Sequence, residues 1–126
     1  MKRHAAREKA FQILFQLDMI EEDTDLVIQE RLEEEEKDEF LHILVHGVVE
    51  HKQSIDEEIS ANLENWTFNR LPSVEKTILR IAVFEIKHLT DIPTNVSINE
   101  AVELSNRYGD EKSGKFVNGV LSKIIK

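Results

Sequence analysis

Residues 72–89, PSVEKTILRIAVFEIKHL, leave this chain little choice of architecture. Proline is tolerated in a first helical turn, and Ser73 or a neighbour can cap the freed N–H groups. Apolar side chains then fall at Val74, Ile78, Leu79, Ile81, Ala82, Val83, Phe84, Ile86 and Leu89. That spread exceeds one stripe, so the helix must be wrapped on most sides by others. Glu75, Lys76, Arg80, Glu85, Lys87 and His88 are left as a polar edge. The expectation is an all-α domain built around this central helix.

The flanking segments supply the wrapping. Ala6, Ala10, Ile13, Leu14, Leu17 and Ile20 follow three-and-four spacing and predict a first helix over 3–20. A neighbouring row, Arg3, Arg7, Phe11 and Phe15, steps by four. Residues 21–25 read as a turn with Asp23 or Thr24 as the next N-cap. A helix with Leu26, Val27 and Ile28 then runs into the acid block at 33–36, read as a solvated helix end. A long helix is expected over 37–53 and a separate short one from the capping box Ser54-Ile-Asp-Glu57. Trp66, Phe68 and Leu71 are expected to plug the space beside the central helix. The loop at 90–96 precedes a second capping box, Ser97-Ile-Asn-Glu100, whose helix ends at Tyr108-Gly109, with Gly109 suited to a left-handed C-terminus. Asp110 opens the last helix, in which Gly119 leaves room for close packing. About seven helices and one domain, 1–126, result; no repeat or linker divides them.

Four glycines and two prolines favour helices over a turn-rich β fold. No cysteine is present, which removes disulfide and thiolate chemistry. No apolar run approaches the ~20 residues that span a bilayer. The opening residues lack a signal peptide's continuous apolar run, so a cytoplasmic location is expected. Net charge is −9, but unevenly spread. Residues 1–9 hold Lys2, Arg3, Arg7 and Lys9 against Glu8; residues 112–126 hold Lys112, Lys115, Lys123 and Lys126 with no acid. The stretch between carries 24 acidic and 8 basic side chains. Such segregation can build a basic patch on an acidic body, provided that folding brings both ends together. Along the first helix, Arg can neutralise phosphate and stack on bases, and Phe offers a stacking plane. Phe11 reads as core; Phe15 fits either the core margin or a stacking face.

Catalytic patterns are missing. Gly47, Gly109, Gly114 and Gly119 match neither a phosphate-binding loop nor a dinucleotide fingerprint, and no serine sits in a nucleophile elbow. His42 and His46 have the spacing of a zinc helix without the intervening Glu or a third ligand. No enzyme, no cofactor and no metal site are expected.

Residues 96–124, VSINEAVELSNRYGDEKSGKFVNGVLSKI, closely resemble the C-terminal signature of the NusB family of bacterial transcription antitermination factors. VEKTILRIAVFEI resembles that family's central helix, and RHAAREKAFQILFQLD its arginine-rich first helix. The resemblance implies an all-helical fold of two packed subdomains. It implies binding of boxA RNA in leader and ribosomal RNA transcripts, together with the small-subunit ribosomal protein NusE. Other Nus factors and RNA polymerase then join, with no catalysis and no cofactor; some members form homodimers. By position, the implied RNA surface comprises Lys2, Arg3, His4 and Arg7, with Lys115, Phe116 and Asn118 of the KFVNG block. Lys112 joins them from the charge pattern. Phe15 matches an aromatic position at the edge of the RNA and NusE surfaces, and Glu75 a position facing NusE. The first helix carries fewer arginines than the family often shows, which should weaken RNA binding without NusE. Phe116 could equally be a core ring, and Asn118 an amide closing a backbone gap. Two other functions fit the sequence: a docking module for a basic ribosomal protein, and an RNA-recognition subunit for a separate RNA methyltransferase.

Overall fold

The computed structural model describes residues 1–32 and 38–126; the acid block at 33–36 and the expected helix start at Lys37 lie outside the described residues. Among the described residues there are six α-helices, one 3-10 turn at Phe68–Arg70, and no strand. The helices are α1 (Arg3–Met19), α2 (Thr24–Arg31), α3 (Glu39–Ala61), α4 (Ser73–His88), α5 (Thr94–Tyr108) and α6 (Glu111–Ile124). The central helix of the sequence is α4. It packs against α1, α3, α5 and α6, with α1–α3 grouped together and α5–α6 paired as a hairpin. All six helices feed one hydrophobic cluster, in which Ile13, Leu44, Ile59, Leu79 and Leu121 are wholly buried. Truncating any such Leu or Ile to Ala costs about 2–5 kcal/mol. None of the described helices is long and apolar enough to cross a membrane.

The helix count falls from seven because α3 joins two expected helices. The buried positions Leu41, Leu44, Val45 and Val48 continue as Ile55 and Ile59 on the same side. With no Gly or Pro between them, the chain bends at His51 (φ −104°, ψ 16°) rather than stopping. Ser54 is therefore no N-cap; its hydroxyl donates to the His51 carbonyl at 3.1 Å. At the α3–α4 crossing Gly47 faces the Phe84 ring, and a Cβ there would overlap it. Gly119 has open space around it; the close approach on α6 is at Gly114, where a Cβ would meet the Asn106 side chain.

Other local signals also shift. α5 begins three residues before Ser97, after Pro93, and Ser97 is buried inside it. Gly109 ends α5 at φ −114°, without a left-handed turn. Asp23 and Asp110 do cap α2 and α6, accepting from the N–H of Leu26 and Ser113. Leu71 is buried and Phe68 half-buried, but Trp66 is 54% exposed and plugs nothing.

The largest revision concerns the polar edge of α4. Glu75, Arg80 and Glu85 are all buried. Arg80 donates through Nε and Nη2 to Asp56 at 2.8 and 3.0 Å, and through Nη1 to Asp18 at 3.0 Å. Glu85 accepts from Arg7 Nε and Nη2 at 2.9 and 2.8 Å and from Ser97 Oγ at 2.9 Å. Lys87 and His88 stay exposed at the C-terminal end of α4, but along its covered middle there is no solvent for Glu75, Arg80 and Glu85, so each must find a partner on a neighbour.

Candidate nucleic-acid interface

At the start of α1, Lys2 and Arg3 are exposed, and the Arg3 guanidinium lies 4.6 Å from the centre of the Phe40 ring. His4 is half-exposed. Its Nδ1 is 2.7 Å from Glu100 Oε2, and its Nε2 is 4.0 Å from Glu103. The hydrogen bond to Glu100, backed by that carboxylate's charge, raises the imidazole pKa above its ordinary 6.5. Arg7 departs from the sequence expectation. Only 3% of it is exposed, and Glu85 holds its guanidinium in a two-pronged pair while Glu100 lies 3.8 Å from Nη1. It is a structural strut behind the basic surface, not a solvated arginine on it.

The next turns of α1 carry an aromatic row. Phe11 is buried and Phe15 half-buried, with ring centres 5.8 Å apart; Tyr108 of α5 lies 4.6 Å from Phe11. Gln12 donates to the Tyr108 hydroxyl, which donates in turn to Glu8. Arg107, exposed beside it, pairs with Glu8 at 2.7 Å. Sequence reading missed Tyr108 and Arg107. They stood only as a helix end, and nothing in one dimension tells that α5 closes on α1.

On α6, Lys112, Lys115 and Asn118 are exposed; Lys115 has only a loose pair with Glu111 at 3.8 Å. Asn118 therefore closes no backbone gap. Phe116 is half-buried and meets Trp66 edge-on, ring centres 6.1 Å apart. Glu75, in the first turn of α4, accepts from Ser113 Oγ at 2.5 Å, so it is held against the start of α6.

The two basic ends are not side by side. Arg7 reaches α4 at Glu85, and Ser113 reaches it at Glu75. Ten helical residues separate those levels, about 15 Å at 1.5 Å per residue. Arg3 lies a turn further out, because α1 runs antiparallel to α4, with Asp18 beside Arg80. Phe11 and Phe15 follow Arg7 along α1 toward the Arg80 level of α4, and Tyr108 meets Phe11 from the end of α5.

His42 and His46 stack at 5.9 Å, and His46 pairs with Asp25 at 3.0 Å. The metal-compatible grouping among the described residues is instead His4, Glu100 and Glu103. There His4 already shares a hydrogen bond with Glu100, and Arg7 supplies the compensating charge.

The NusB family model matches residues 4–126. The transcription antitermination protein NusB of Oceanobacillus iheyensis is 61% identical over 125 residues, spanning 99% of each chain. A structure of T. maritima NusB is 38% identical with a TM-score of 0.90, covering 98% of this chain and 90% of that one. A crystal structure of the antitermination factors NusB and NusE in complex with double-stranded RNA is similar at 35% identity and a TM-score of 0.86. It covers 98% of this chain and 97% of that one.

Proposed function

The chain belongs to the NusB family, and we propose that it acts as a transcription antitermination factor that binds boxA RNA together with NusE. The observation carrying the RNA reading is the arrangement of exposed cations at both ends of an aromatic row. Lys2, Arg3 and His4 take phosphates at one end, and Lys112 and Lys115 at the other. Phe15, Phe116 and Asn118 supply stacking faces and a base-edge amide between and beside them. Single-stranded RNA is read by such stacking and edge contacts, whereas duplex RNA is read by shape and backbone. Arg7 contributes by fixing α1 against α4 and not by touching RNA.

The partner reading is compatible with this. The stretch 10–111 is strongly acidic, which suits a basic ribosomal protein, and Phe15 and Glu75 are the residues assigned to that contact. The pair would then act on RNA polymerase with other Nus factors, in the cytoplasm, without catalysis or a cofactor.

Affinity for boxA RNA should be measured across salt, with and without NusE. Each single-strand phosphate contact adds about 0.7 to the log–log slope. Replacing Arg3, Lys112 and Lys115 together by Ala should reduce that slope by about 2. An unchanged slope and affinity would remove these residues from the RNA surface. Retention of NusE by this chain in the absence of RNA checks the protein contact separately.

A further inference from the structure

Two residues sit where packing does not explain them. Trp66, in the connection between α3 and α4, is more than half exposed, and its ring meets Phe116 of α6 edge-on. Gly119, inside α6, has nothing within 4 Å of where a Cβ would stand. Glycine weakens a helix interior relative to alanine, and no close approach accounts for it here. The two line one recess of about 270 Å³, together with Phe116, Lys115, Lys123 and Glu64. That volume lies just below the roughly 300 Å³ at which ordinary small-molecule sites begin, and it has room for one planar ring. Lys112, Lys115, Gly119 and Lys123 share about 80° of arc on α6, and the three lysines span about 16 Å along its axis.

We propose that this recess is a nucleotide site: a base of single-stranded RNA stacks on Trp66 in the space that Gly119 leaves open, with the flanking phosphates on Lys115 and Lys123. Such stacking tolerates any sequence, because every base has a π-face. The edge contact with Phe116 fixes the indole before a base arrives, so little side-chain freedom is lost on binding. Charge decides the occupant. The lysines on this face of α6 attract a polyanion and repel the basic side chains of a ribosomal protein. Glu64 is the one acid lining the recess, and it pairs with Lys123 at the surface. An exposed pair of this kind is worth little, so a phosphate can take the place of Glu64. Lys115 has only its loose contact with Glu111. Glu75 does not line the recess, so the contact assigned to NusE stays separate. The strand would thus run on from Lys112 and Lys115 to the α3–α4 connection, at a residue that sequence reading gave to core packing.

The inference rests on the RNA reading above and adds a nucleotide site to it. The probe is single-stranded boxA RNA with an oligouridylate tail at each end, read by anisotropy of an end label and by emission of Trp66, the chain's one tryptophan. Wild-type binding should quench Trp66 in step with the anisotropy. Trp66→Ala should weaken the single strand about 5- to 150-fold, the worth of one stacked base, while Trp66→Phe keeps most of the affinity. Gly119→Leu should weaken it comparably without lowering Tm, since leucine is the better helix former and fills the recess. Duplex RNA, with its bases hidden, should bind all three variants as it binds wild type. Unquenched emission in the bound complex, or wild-type affinity in either Trp66→Ala or Gly119→Leu, overturns the site and leaves the rest of the RNA surface standing. Equal weakening of duplex and single strand by Trp66→Ala overturns it too. So does loss of NusE capture in Trp66→Ala with RNA affinity intact, which gives the ring to a protein partner. A wild-type chain that binds no single strand, with or without NusE, removes the RNA reading and this site with it.

Discussion

Arg7 and Arg3 sit one helical turn apart, yet their replacement should have opposite signatures. In Arg7→Ala the Glu85 carboxylate, 1% exposed, keeps only the Ser97 hydroxyl as a partner. Removing one member of a buried ion pair costs about 3–5 kcal/mol. With an unfolding entropy of roughly 2.1 cal/mol/K per residue, a 126-residue chain loses about 4 °C of Tm per kcal/mol. The expected drop is therefore roughly 12–20 °C. Arg3→Ala removes an exposed side chain stacked on Phe40 and should change stability by about 0.5 kcal/mol or less, while lowering the salt slope of RNA binding by about 0.7. Thermal unfolding followed by circular dichroism gives the first quantity, and RNA titration well below the lowest Tm gives the second. Arg7→Met combined with Glu85→Leu should recover most of the lost stability, because an apolar pair can replace a buried ionic one. Should Arg7→Ala melt within about 1 °C of wild type while RNA affinity drops as in Arg3→Ala, the strut assignment is wrong.

The raised pKa of His4 makes its contact with Glu100 pH-dependent. The stabilisation is complete below the unfolded value of 6.5 and is lost as pH rises through the raised folded value. The Tm difference between wild type and His4→Gln should shrink accordingly from pH 6 to pH 9. His88 behaves in the opposite sense: burial, and then the charge of neighbouring His51, lowers its pKa. Its neutral form is favoured by folding, so stability is lost as pH falls below 6.5, and His88→Gln should flatten the acid limb of a Tm–pH profile. Gly47→Ala places a methyl group in the Phe84 ring; overpacking of this kind costs about 1–3 kcal/mol, measurable in urea as a lower midpoint at unchanged m.

The core was legible in the sequence because its signal is periodic. Of the stripe Ala6, Ala10, Ile13, Leu14, Leu17 and Ile20, the first four are buried as read, Leu17 is half-buried and Ile20, past the end of α1, is exposed; α4 is the hub it was expected to be. Caps were legible only where side chain and backbone agreed: Asp23 and Asp110 serve as N-caps, while Ser54 and Ser97 have the right spacing inside helices that continue past them. Pairing of buried charges was not legible, since Arg7 and Glu85 lie 78 residues apart. A hint was nonetheless present. Arg7 stands between Ala6 and Ala10, both fully buried, and small residues let a neighbouring helix close over the position. The hub offered the complementary hint, because a helix apolar on most sides leaves only a narrow wet edge, taken here by Lys87 and His88, and Glu85 falls outside it.

Segregated charge at the two ends of a chain does not by itself make one patch. Here the α4 levels met by Arg7 and Ser113 stand about 15 Å apart, and Arg3 lies a turn beyond the first, too far for one phosphate to bridge and outside the short range at which exposed charges cooperate strongly in salt. Between them lie the half-buried rings of Phe15 on α1 and Tyr108 at the end of α5, backed by buried Phe11 and flanked by the Arg107–Glu8 pair. A polyanion held at both ends must cross that row, and with phosphates anchored on lysines the bases are free to turn inward. A duplex keeps its bases stacked and hidden, so it would use the cations and ignore the rings. Phe15→Ala therefore separates the two modes. It should weaken a single strand by about 1–3 kcal/mol, the worth of one stacked base, and leave duplex binding unchanged. Equal losses for both would mean that Phe15 serves packing against the core, and that the strand takes another path between the two basic ends.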